Sequence, residues 1–261
     1  MWDCHLHAFG PSYPLAPGRA YDPPVTSLDG YRDQAARAGI GHCVFVQPSI
    51  YGDDNSATLD AMAAGQGAHR AVISVSADLT AADLPALHEK GVRGVRLNMP
   101  SSNPTSVARV RALMPALQAQ RWHVAANLDA TGPGALADLL DWIVVPLVVD
   151  HFGRPPLNCL DLSVFVPLLD AVESGRVWVK LSSPYQVTSG AYANLAPIAR
   201  ALHWARPEST LFASNWPHIG APDPGQVPSV IGLIDVAADW LDLSMARART
   251  LFEGNAFALY A

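Results

Sequence analysis

Short hydrophobic runs alternate with amphipathic segments along the 261-residue chain. The short runs are apolar at consecutive positions, which predicts strands that are covered on both faces by helices. Eight strands are predicted, at Trp2–His7, His42–Gln47, Ala71–Val75, Gly94–Asn98, Trp122–Asn127, Leu147–His151, Val177–Leu181 and Leu211–Ser214. Helical segments are predicted at Leu28–Ala38, Ala81–Lys90, Val107–Gln118, Ala135–Trp142 and Leu195–Trp204. This alternation predicts an α/β fold, a (β/α)₈ TIM barrel that forms a single domain over residues 1–261.

An open, doubly wound parallel sheet is the competing fold. No GxGxxG sequence follows a predicted strand, so that fold lacks the support of its usual nucleotide-binding motif. The loop at residues 8–24 follows the first strand and is predicted to cover the barrel mouth. Apolar residues near the C-terminus are predicted to pack a last helix onto the barrel, with a dimer contact as the alternative. These residues are Leu251, Phe252, Phe257, Leu259 and Tyr260.

Composition narrows the range of partners. The 17 Lys and Arg residues are scattered and the net charge is −6, so no nucleic-acid footprint is present. No apolar stretch reaches the roughly 20 residues that a membrane helix needs. The three cysteines form neither an even framework nor a CxxC pair, which favours a reducing cytoplasm. We therefore expect a cytoplasmic monomer or homodimer that acts on a small-molecule substrate.

Polar side chains follow the predicted strands at their C-terminal ends, where α/β barrels place their active sites. His5 and His7 are two residues apart in the first strand, so both imidazoles are predicted to point into the barrel, with Asp3 below them. His151 ends the sixth strand, and His123 is predicted to pack in the barrel interior. Further candidates for substrate binding are Gln47, Ser49, Tyr51, Arg96, Asn98, Asn127, Ser182, Tyr185, Gln186 and His218. For Gln47, Ser49, Asn98, Asn127 and Ser182, hydrogen bonding to loop amides is an equal alternative.

Six motifs, taken together and in order, resemble the amidohydrolase superfamily over essentially the whole chain. They are Asp3-Cys-His5-Leu-His7, Gln47-Pro-Ser-Ile-Tyr-Gly-Asp-Asp-Asn55, Gly94-Val-Arg-Leu-Asn98, Val149-Asp-His-Phe-Gly-Arg-Pro155, Val179-Lys-Leu-Ser182 and Ser214-Asn-Trp-Pro-His218. The resemblance is greatest to the branch of 2-pyrone-4,6-dicarboxylate hydrolase and related lactonases. It implies hydrolysis of small lactones from aromatic or sugar-acid catabolism. It also implies that His5, His7 and His151 bind substrate and polarise its carbonyl, while a strand-8 Asp, at position 215 here, activates water without a divalent metal.

Asn215 departs from this pattern. An amide can orient a water molecule but cannot accept its proton, so Asn215 cannot be the general base. Either the chain carries an inactivating Asp-to-Asn change, or another base replaces the carboxylate. His151, His7 and His218 are the candidate replacements, because imidazole titrates near neutral pH. This form of the enzyme is therefore expected to be weakly active or inactive.

The expected arginine clamp for two carboxylates is also incomplete. Only Arg96 is retained clearly, while Ser101-Ser102-Asn103 offers no arginine and Tyr185 and Gln186 stand where another is expected. An amide does not replace a bidentate guanidinium–carboxylate contact at equal strength. The predicted substrate is therefore a lactone that is less anionic than pyrone dicarboxylate.

The sequence favours no metal cofactor. If one divalent ion binds, Zn²⁺ or Mn²⁺, its predicted ligands are His5, His7 and His151, since three protein ligands and a water describe many catalytic zinc sites. A second ion lacks a bridging Lys or Glu on strand 4 and would be repelled by Arg96. Two rival functions stay open. One is a metal-dependent decarboxylase of the same superfamily, and the other is a catalytically disabled barrel that binds a small molecule.

Overall fold

Eight parallel strands follow one another in sequence order around one sheet. The computed structural model describes residues 1–24, 26–99 and 104–261. The strands are β1 (Trp2–Leu6), β2 (His42–Val46), β3 (Arg70–Ile73), β4 (Val92–Asn98), β5 (His123–Asn127), β6 (Leu147–Val149), β7 (Val177–Leu181) and β8 (Thr210–Phe212). All eight predicted strands are present, with ends that differ by a few residues.

Helices lie between the strands and after the last one. They are α1 (Leu28–Arg37), α2 (Ser56–Ala63), α3 (Leu84–Lys90), α4 (Pro104–Ala119), α5 (Ala135–Leu140), α6 (Val166–Glu173), α7 (Ala196–Ala205), α8 (Val230–Trp240) and α9 (Met245–Tyr260). The five predicted helical segments match α1, α3, α4, α5 and α7. The Ser101-Ser102-Asn103 segment, where no arginine was expected, lies outside the described residues. Within those residues, no helix combines the length and the apolar character that a membrane crossing requires.

The first and last strands meet, so that the sheet nearly closes on itself. The amide of Asn215 donates to the carbonyl of His5 at 2.8 Å, and the amide of His7 donates to the carbonyl of Trp216 at 2.9 Å. Leu6 and Trp216 form a parallel bridge at the same place. The barrel prediction is confirmed, and the open doubly wound sheet is excluded.

Strand residues alternate between the inside of the barrel and the layer beneath the helices. Val44, Val72, Ala125, Val148 and Leu211 belong to a small inner cluster, which also holds residues of α9. Their neighbours along the strands belong to the large cluster that the other helices cover. The inner cluster fills the N-terminal part of the barrel with apolar groups, so polar inward-facing residues lie toward the C-terminal end.

Helix α9 packs against the N-terminal end of the barrel through Tyr260. Its ring is fully buried and lies 6.0 Å from the Trp2 ring and 5.2 Å from the His123 ring, measured between centroids. His123 is buried there, as predicted. Phe252 is also buried, but Phe257 is 64% exposed, so the expectation that Phe257 packs onto the barrel is wrong. Phe257 lies on the outer face of the same helix.

An irregularity in β1 changes the direction of Asp3. The pairing register between β1 and β2 shifts between Asp3 and Leu6, as a β-bulge would cause. Cys4 therefore packs in the inner cluster, while Asp3 accepts a hydrogen bond from the Tyr31 hydroxyl on α1 at 2.8 Å. The expectation that Asp3 lies inside the barrel beneath the imidazoles is wrong.

The strands β6 and β8 both end earlier than predicted, and functional candidates lie in the turns that follow. β6 ends at Val149 and β8 ends at Phe212. His151 and Asn215 have left-handed backbone φ angles of 54° and 57°, which an extended strand cannot accommodate. Each side chain is thus carried by a tight turn directly above the barrel rim.

Candidate active site

A cavity of about 540 Å³ opens at the C-terminal end of the barrel. Nine of the residues predicted for the site line it: His7, Ser49, Arg96, Asn98, Asn127, His151, Tyr185, Gln186 and Asn215. The loop at residues 8–24 contributes Ala20 and Tyr21 to the wall, in agreement with its predicted position over the mouth. The volume suits one small molecule, and the lining combines neutral amides and hydroxyls with guanidinium groups.

Three imidazoles lie together at the floor of the cavity, where His7 and His151 line it and His5 lies behind them. The Nε2 atoms of His5 and His7 are 3.4 Å apart, and the rings of His5 and His151 have centroids 4.9 Å apart. His7 Nδ1 lies 2.8 Å from the carbonyl oxygen of Val46. Because a carbonyl can only accept, His7 Nδ1 carries the proton and donates it there. The three histidines predicted from separate strands therefore share one place.

These imidazoles are held in their neutral form. Burial and, to a lesser extent, the nearby Arg96 guanidinium lower the pKa of His7 to about 3. Burial also lowers the pKa of His151 to about 3, although the Asp150 carboxylate opposes this change. The pKa of His5 is well below its usual value, again chiefly through burial. At neutral pH the three rings act as uncharged hydrogen-bonding groups.

A fully buried carboxylate lies beneath the imidazoles. Asp150 Oδ1 is 3.0 Å from Lys180 Nζ and 3.2 Å from His5 Nδ1, while Asp150 Oδ2 is 3.3 Å from an Arg96 nitrogen. Burial alone would raise the pKa of Asp150, but the cationic Lys180 and Arg96 beside it hold that pKa well below its usual value. The carboxylate is therefore ionised and carries two cationic partners.

The sequence reasoning did not assign Asp150 and Lys180 to the site. Both residues stand inside motifs that were recognised, next to His151 and Ser182. The available signal was their charge, since an Asp or Lys at an inward-facing strand position is rarely buried without a partner. Their pairing joins residues that lie 30 positions apart and depends on barrel closure.

Ser182 and His5 lie behind the cavity wall. Ser182 Oγ is 2.8 Å from His151 Nδ1, so the hydroxyl fixes the orientation of that ring. This contact leaves His151 Nε2 as the nitrogen that a bound molecule can reach. Both residues act through a neighbour and do not line the cavity themselves.

Asn215 presents an unsatisfied acceptor. Its Nδ2 donates to the Tyr185 hydroxyl at 2.9 Å. Its Oδ1 is buried and has no hydrogen-bond partner among the described residues. A buried acceptor without a donor is costly, so this oxygen is suited to receive a hydrogen bond from a water or hydroxyl in the cavity.

Arg154 adds a second guanidinium to the cavity wall, and the sequence reasoning missed it. Its NH1 donates to Asn127 Oδ1 at 3.2 Å, and Asn127 Nδ2 donates to Asn98 Oδ1 at 2.6 Å. Arg96, by contrast, donates inward to the Gln47 carbonyl at 2.7 Å and to Asp150. Two arginines, Arg96 and Arg154, therefore line the cavity, where the sequence indicated only Arg96.

Three predicted substrate contacts lie away from this cavity. The Gln47 side chain donates to the carbonyl of Asp54 at 2.7 Å and accepts from the Thr58 hydroxyl at 2.6 Å. These hydrogen bonds stabilise the loop after β2 and engage both ends of the Gln47 amide. The Tyr51 hydroxyl pairs with the backbone of Gly10. His218 packs edge-on against Tyr185 and lines a separate surface groove. The sequence placed these residues near strand ends but could not give the direction of their side chains.

His5, Asp150 and His151 could hold a metal ion by ligand type. One ligand atom from each lies within 4.8 Å of the others. This set replaces the predicted one, since Asp150 takes the place of His7. The fit to a divalent ion is nevertheless poor, because Lys180 and Arg96 already neutralise the carboxylate of this cluster and would repel a further cation.

Comparison with known proteins identifies a matching family and several relatives of similar length. A family model described as amidohydrolase matches residues 2–261. The 4-sulfomuconolactone hydrolase of Hydrogenophaga intermedia is 30% identical over 260 residues, which cover 97% of this chain and 86% of that protein. The 2-pyrone-4,6-dicarboxylate hydrolase of Comamonas testosteroni is 31% identical over 232 residues, which cover 83% of this chain and 76% of that protein. A crystal structure from Agrobacterium tumefaciens superposes with a TM-score of 0.82 at 28% identity, covering 99% and 94% of the two chains.

Proposed function

Because the chain belongs to the amidohydrolase family, we propose that it hydrolyses a small lactone from aromatic or sugar-acid catabolism. Two of its relatives are named for the hydrolysis of lactones, a sulfomuconolactone and a pyrone dicarboxylate. The proposed reaction is addition of water to the ring carbonyl, followed by opening of the ring to a hydroxy acid. The observation that carries this proposal is the convergence of His7, Arg96, His151 and Asn215 on one cavity.

Arg96 is the proposed electrophile. It lines the cavity, and its Nε is buried without a partner among the described residues. A fixed cationic donor directed at the carbonyl oxygen would stabilise the oxyanion that forms when water adds. His7 contributes less to this task than the sequence suggested, because its proton is directed at the Val46 carbonyl.

Asn215 and His151 are the proposed partners of the attacking water. The free Oδ1 of Asn215 would orient the water, and His151 Nε2 would accept its proton, with Ser182 steadying the ring. A base is most effective when its pKa lies near the working pH, and burial lowers the pKa of His151 to about 3. The proposed hydrolysis is therefore slow in this chain.

The proposed substrate carries one anionic group. Arg154 and the amide of Asn127 form a polar patch on the cavity wall, apart from the Asp150 cluster. A guanidinium supported by an amide suits a carboxylate. Arg96 is paired with Asp150, which leaves Arg154 as the proposed carboxylate contact and favours a substrate less anionic than pyrone dicarboxylate.

We also propose that hydrolysis needs no metal. Lys180 and Arg96 provide fixed positive charge at the carboxylate that a divalent ion would need. Metal content by elemental analysis, together with the rate after chelation, tests this point. A stoichiometric metal whose removal abolishes turnover would support the decarboxylase alternative instead, in particular if carbon dioxide is released.

A panel of lactones with no, one or two carboxylates tests the function. We expect the highest kcat/KM for a lactone with one carboxylate. Asn215→Asp is expected to raise it about 10²- to 10⁴-fold, because a carboxylate can accept the proton of the water. The matched control Asn194→Asp, at an exposed position, should leave it unchanged.

A barrel that binds a small molecule without turnover is the second candidate, and Asn215 is the observation that favours it. Calorimetry with the same panel distinguishes the two functions. Lactone or hydroxy-acid binding with no hydrolysis by either the native chain or Asn215→Asp would contradict the proposed hydrolase. An equal rate in both forms would remove Asn215 from the water-activating step and leave the proton with a histidine.

A further inference from the structure

Lys180 lies in the centre of the barrel, beneath the cavity. Its side chain is fully buried, and its Nζ is 3.0 Å from Asp150 Oδ1 and 3.1 Å from His5 Nδ1. The third side of this triangle, between His5 Nδ1 and Asp150 Oδ1, measures 3.2 Å. Asp150 and His5 are two of the three residues whose ligand atoms could otherwise hold a metal ion. The ammonium group therefore contacts the same residues that a divalent cation would need.

The hydrogen-bonding rules of these groups determine where the protons are. An ammonium group can only donate, so His5 Nδ1 is an acceptor when Lys180 donates to it. The proton of the neutral His5 ring is then on Nε2, which faces His7 Nε2 at 3.4 Å. His7 Nε2 is free to accept, because His7 Nδ1 carries its proton toward the Val46 carbonyl.

The two arrangements of this cluster require opposite tautomers of His5. A divalent ion that used Nε2 of His5 as its ligand would need that nitrogen without a proton, so His5 would then carry its proton on Nδ1. With Lys180 in place, Nδ1 is bare and Nε2 is protonated. The Asp150 carboxylate then receives its hydrogen bonds from Lys180 and Arg96.

We propose that Lys180 is a positioning residue whose ammonium group takes the place that a metal ion could otherwise have in this cluster. The ammonium group neutralises Asp150, fixes His5 as the Nε2–H tautomer and excludes divalent cations. The chain of donors runs in one direction, from Lys180 through His5 and His7 to the Val46 carbonyl. In this series of hydrogen bonds, the lone pair of His7 Nε2 accepts the proton of His5 Nε2. The series thus determines which nitrogens at the cavity floor donate and which accept. The role of Lys180 in catalysis rests on the proposed metal-free hydrolysis, whereas the tautomer of His5 and the exclusion of cations do not depend on it.

The first test uses the unaltered, ¹⁵N-labelled chain. Long-range ¹H–¹⁵N correlations of the histidine rings at neutral pH report which nitrogen of each ring carries the proton. The His5 signals are assigned by their loss in His5→Gln. We expect His5 Nδ1 without a proton and Nε2 with one, and a proton on Nδ1 would overturn the proposal.

The second test removes the ammonium group. The chain has two lysines, Lys180 and the exposed Lys90 on α3, so Lys90→Met is a matched control for Lys180→Met. Zinc titration should give an affinity for Lys180→Met at least about tenfold above that of the control, since even a screened unit charge a few ångströms from a cation has an effect of this size. The zinc should also raise the melting temperature of Lys180→Met.

Equal zinc binding by both variants would contradict the exclusion of metal by Lys180. Should Lys180→Met fail to fold, the ring tautomers of the unaltered chain decide the matter. Neither measurement involves turnover. Absence of lactone hydrolysis would therefore contradict the proposed function, while the ring tautomers and the zinc affinities would still test the role of Lys180.

Discussion

Asn215 limits the chemistry that the cavity can perform. A carboxylate at this position would accept a proton from water, whereas the amide only directs it. The neighbouring imidazoles are neutral, because burial lowers the pKa of His7 and His151 to about 3. Such rings can receive a proton, but they do so weakly at neutral pH. The slow turnover that we propose follows from the pairing of an amide with a weakly basic imidazole.

Arg154 lines the cavity and is the proposed contact for the substrate carboxylate. Replacement by Met, as Arg154→Met, should raise KM roughly ten- to a hundredfold for a lactone with one carboxylate, because a hydrogen bond to a charged group contributes about 1.5–3 kcal/mol. KM for an uncharged lactone should change little. Steady-state kinetics with the two lactones measure this difference.

Arg37→Met, on the exposed surface of α1, is the control for the loss of one positive charge. An equal rise in KM for charged and uncharged lactones would mean that Arg154 shapes the wall without binding the anion. In that case the substrate carboxylate has to be assigned to another group.

At the scale of the secondary-structure elements, strand order and strand ends were predictable. A period of two along each strand and the alternation of strands with helices are local features of the sequence. These features alone predict that His7, Arg96, Asn127 and His151 lie at one end of the barrel. The β1 bulge was not predictable. One additional residue in the strand reverses the direction of the Asp3 side chain, and no residue type in β1 indicates that a bulge is present.

The non-local pairings were equally hidden. The Asp150–Lys180 contact joins β7 to the turn after β6, and it exists only when the barrel is closed. Asn215 and His151 adopt left-handed backbone angles that their residue types do not require. The sequence could thus indicate which residues share the cavity, but not which of them face it directly and which support a neighbour from behind.

Helix α9 closes the N-terminal end of the barrel, and Tyr260 is its main anchor. Tyr260→Ala is expected to lower the free energy of unfolding by about 3–5 kcal/mol, because it leaves a cavity among fully buried rings. Phe257→Ala removes a ring of similar size from the exposed face of the same helix, so its effect should stay within about 0.5 kcal/mol. Urea unfolding of both variants measures the difference. Equal losses of stability would show that the helix as a whole, and not Tyr260, carries the closure.

On the scale of the whole molecule, the barrel buries several histidines in their neutral form. Burial is the largest cause of the low pKa of His5, His7, His123 and His151. The unfolded chain binds protons on these rings below about pH 6.5, whereas the folded chain does so only near pH 3 or lower. Stability should therefore fall as the pH falls from 6.5 toward 3, by up to about 1.4 kcal/mol per pH unit for each histidine.

Asp150 does not alter this trend in that window. Its folded pKa is lowered, so its contribution is present above the unfolded value near 3.9 and is lost only at lower pH. Urea midpoints at pH 7.5 and 5.5 measure the slope, and His123→Phe should reduce it because one buried imidazole is removed. A free energy of unfolding at pH 5.5 that equals or exceeds the value at pH 7.5 would contradict the neutral state of the rings.

The central claim is that water adds to a lactone carbonyl in a cavity whose positive charge comes from protein side chains. It is tested most directly by ring opening in H₂¹⁸O with chelator-treated protein and the preferred lactone of the panel. We expect one ¹⁸O atom in the carboxylate of the hydroxy acid, at a rate that chelation leaves unchanged. Ring opening that stops on chelation and returns with added metal, or none in either the native chain or Asn215→Asp, would contradict it.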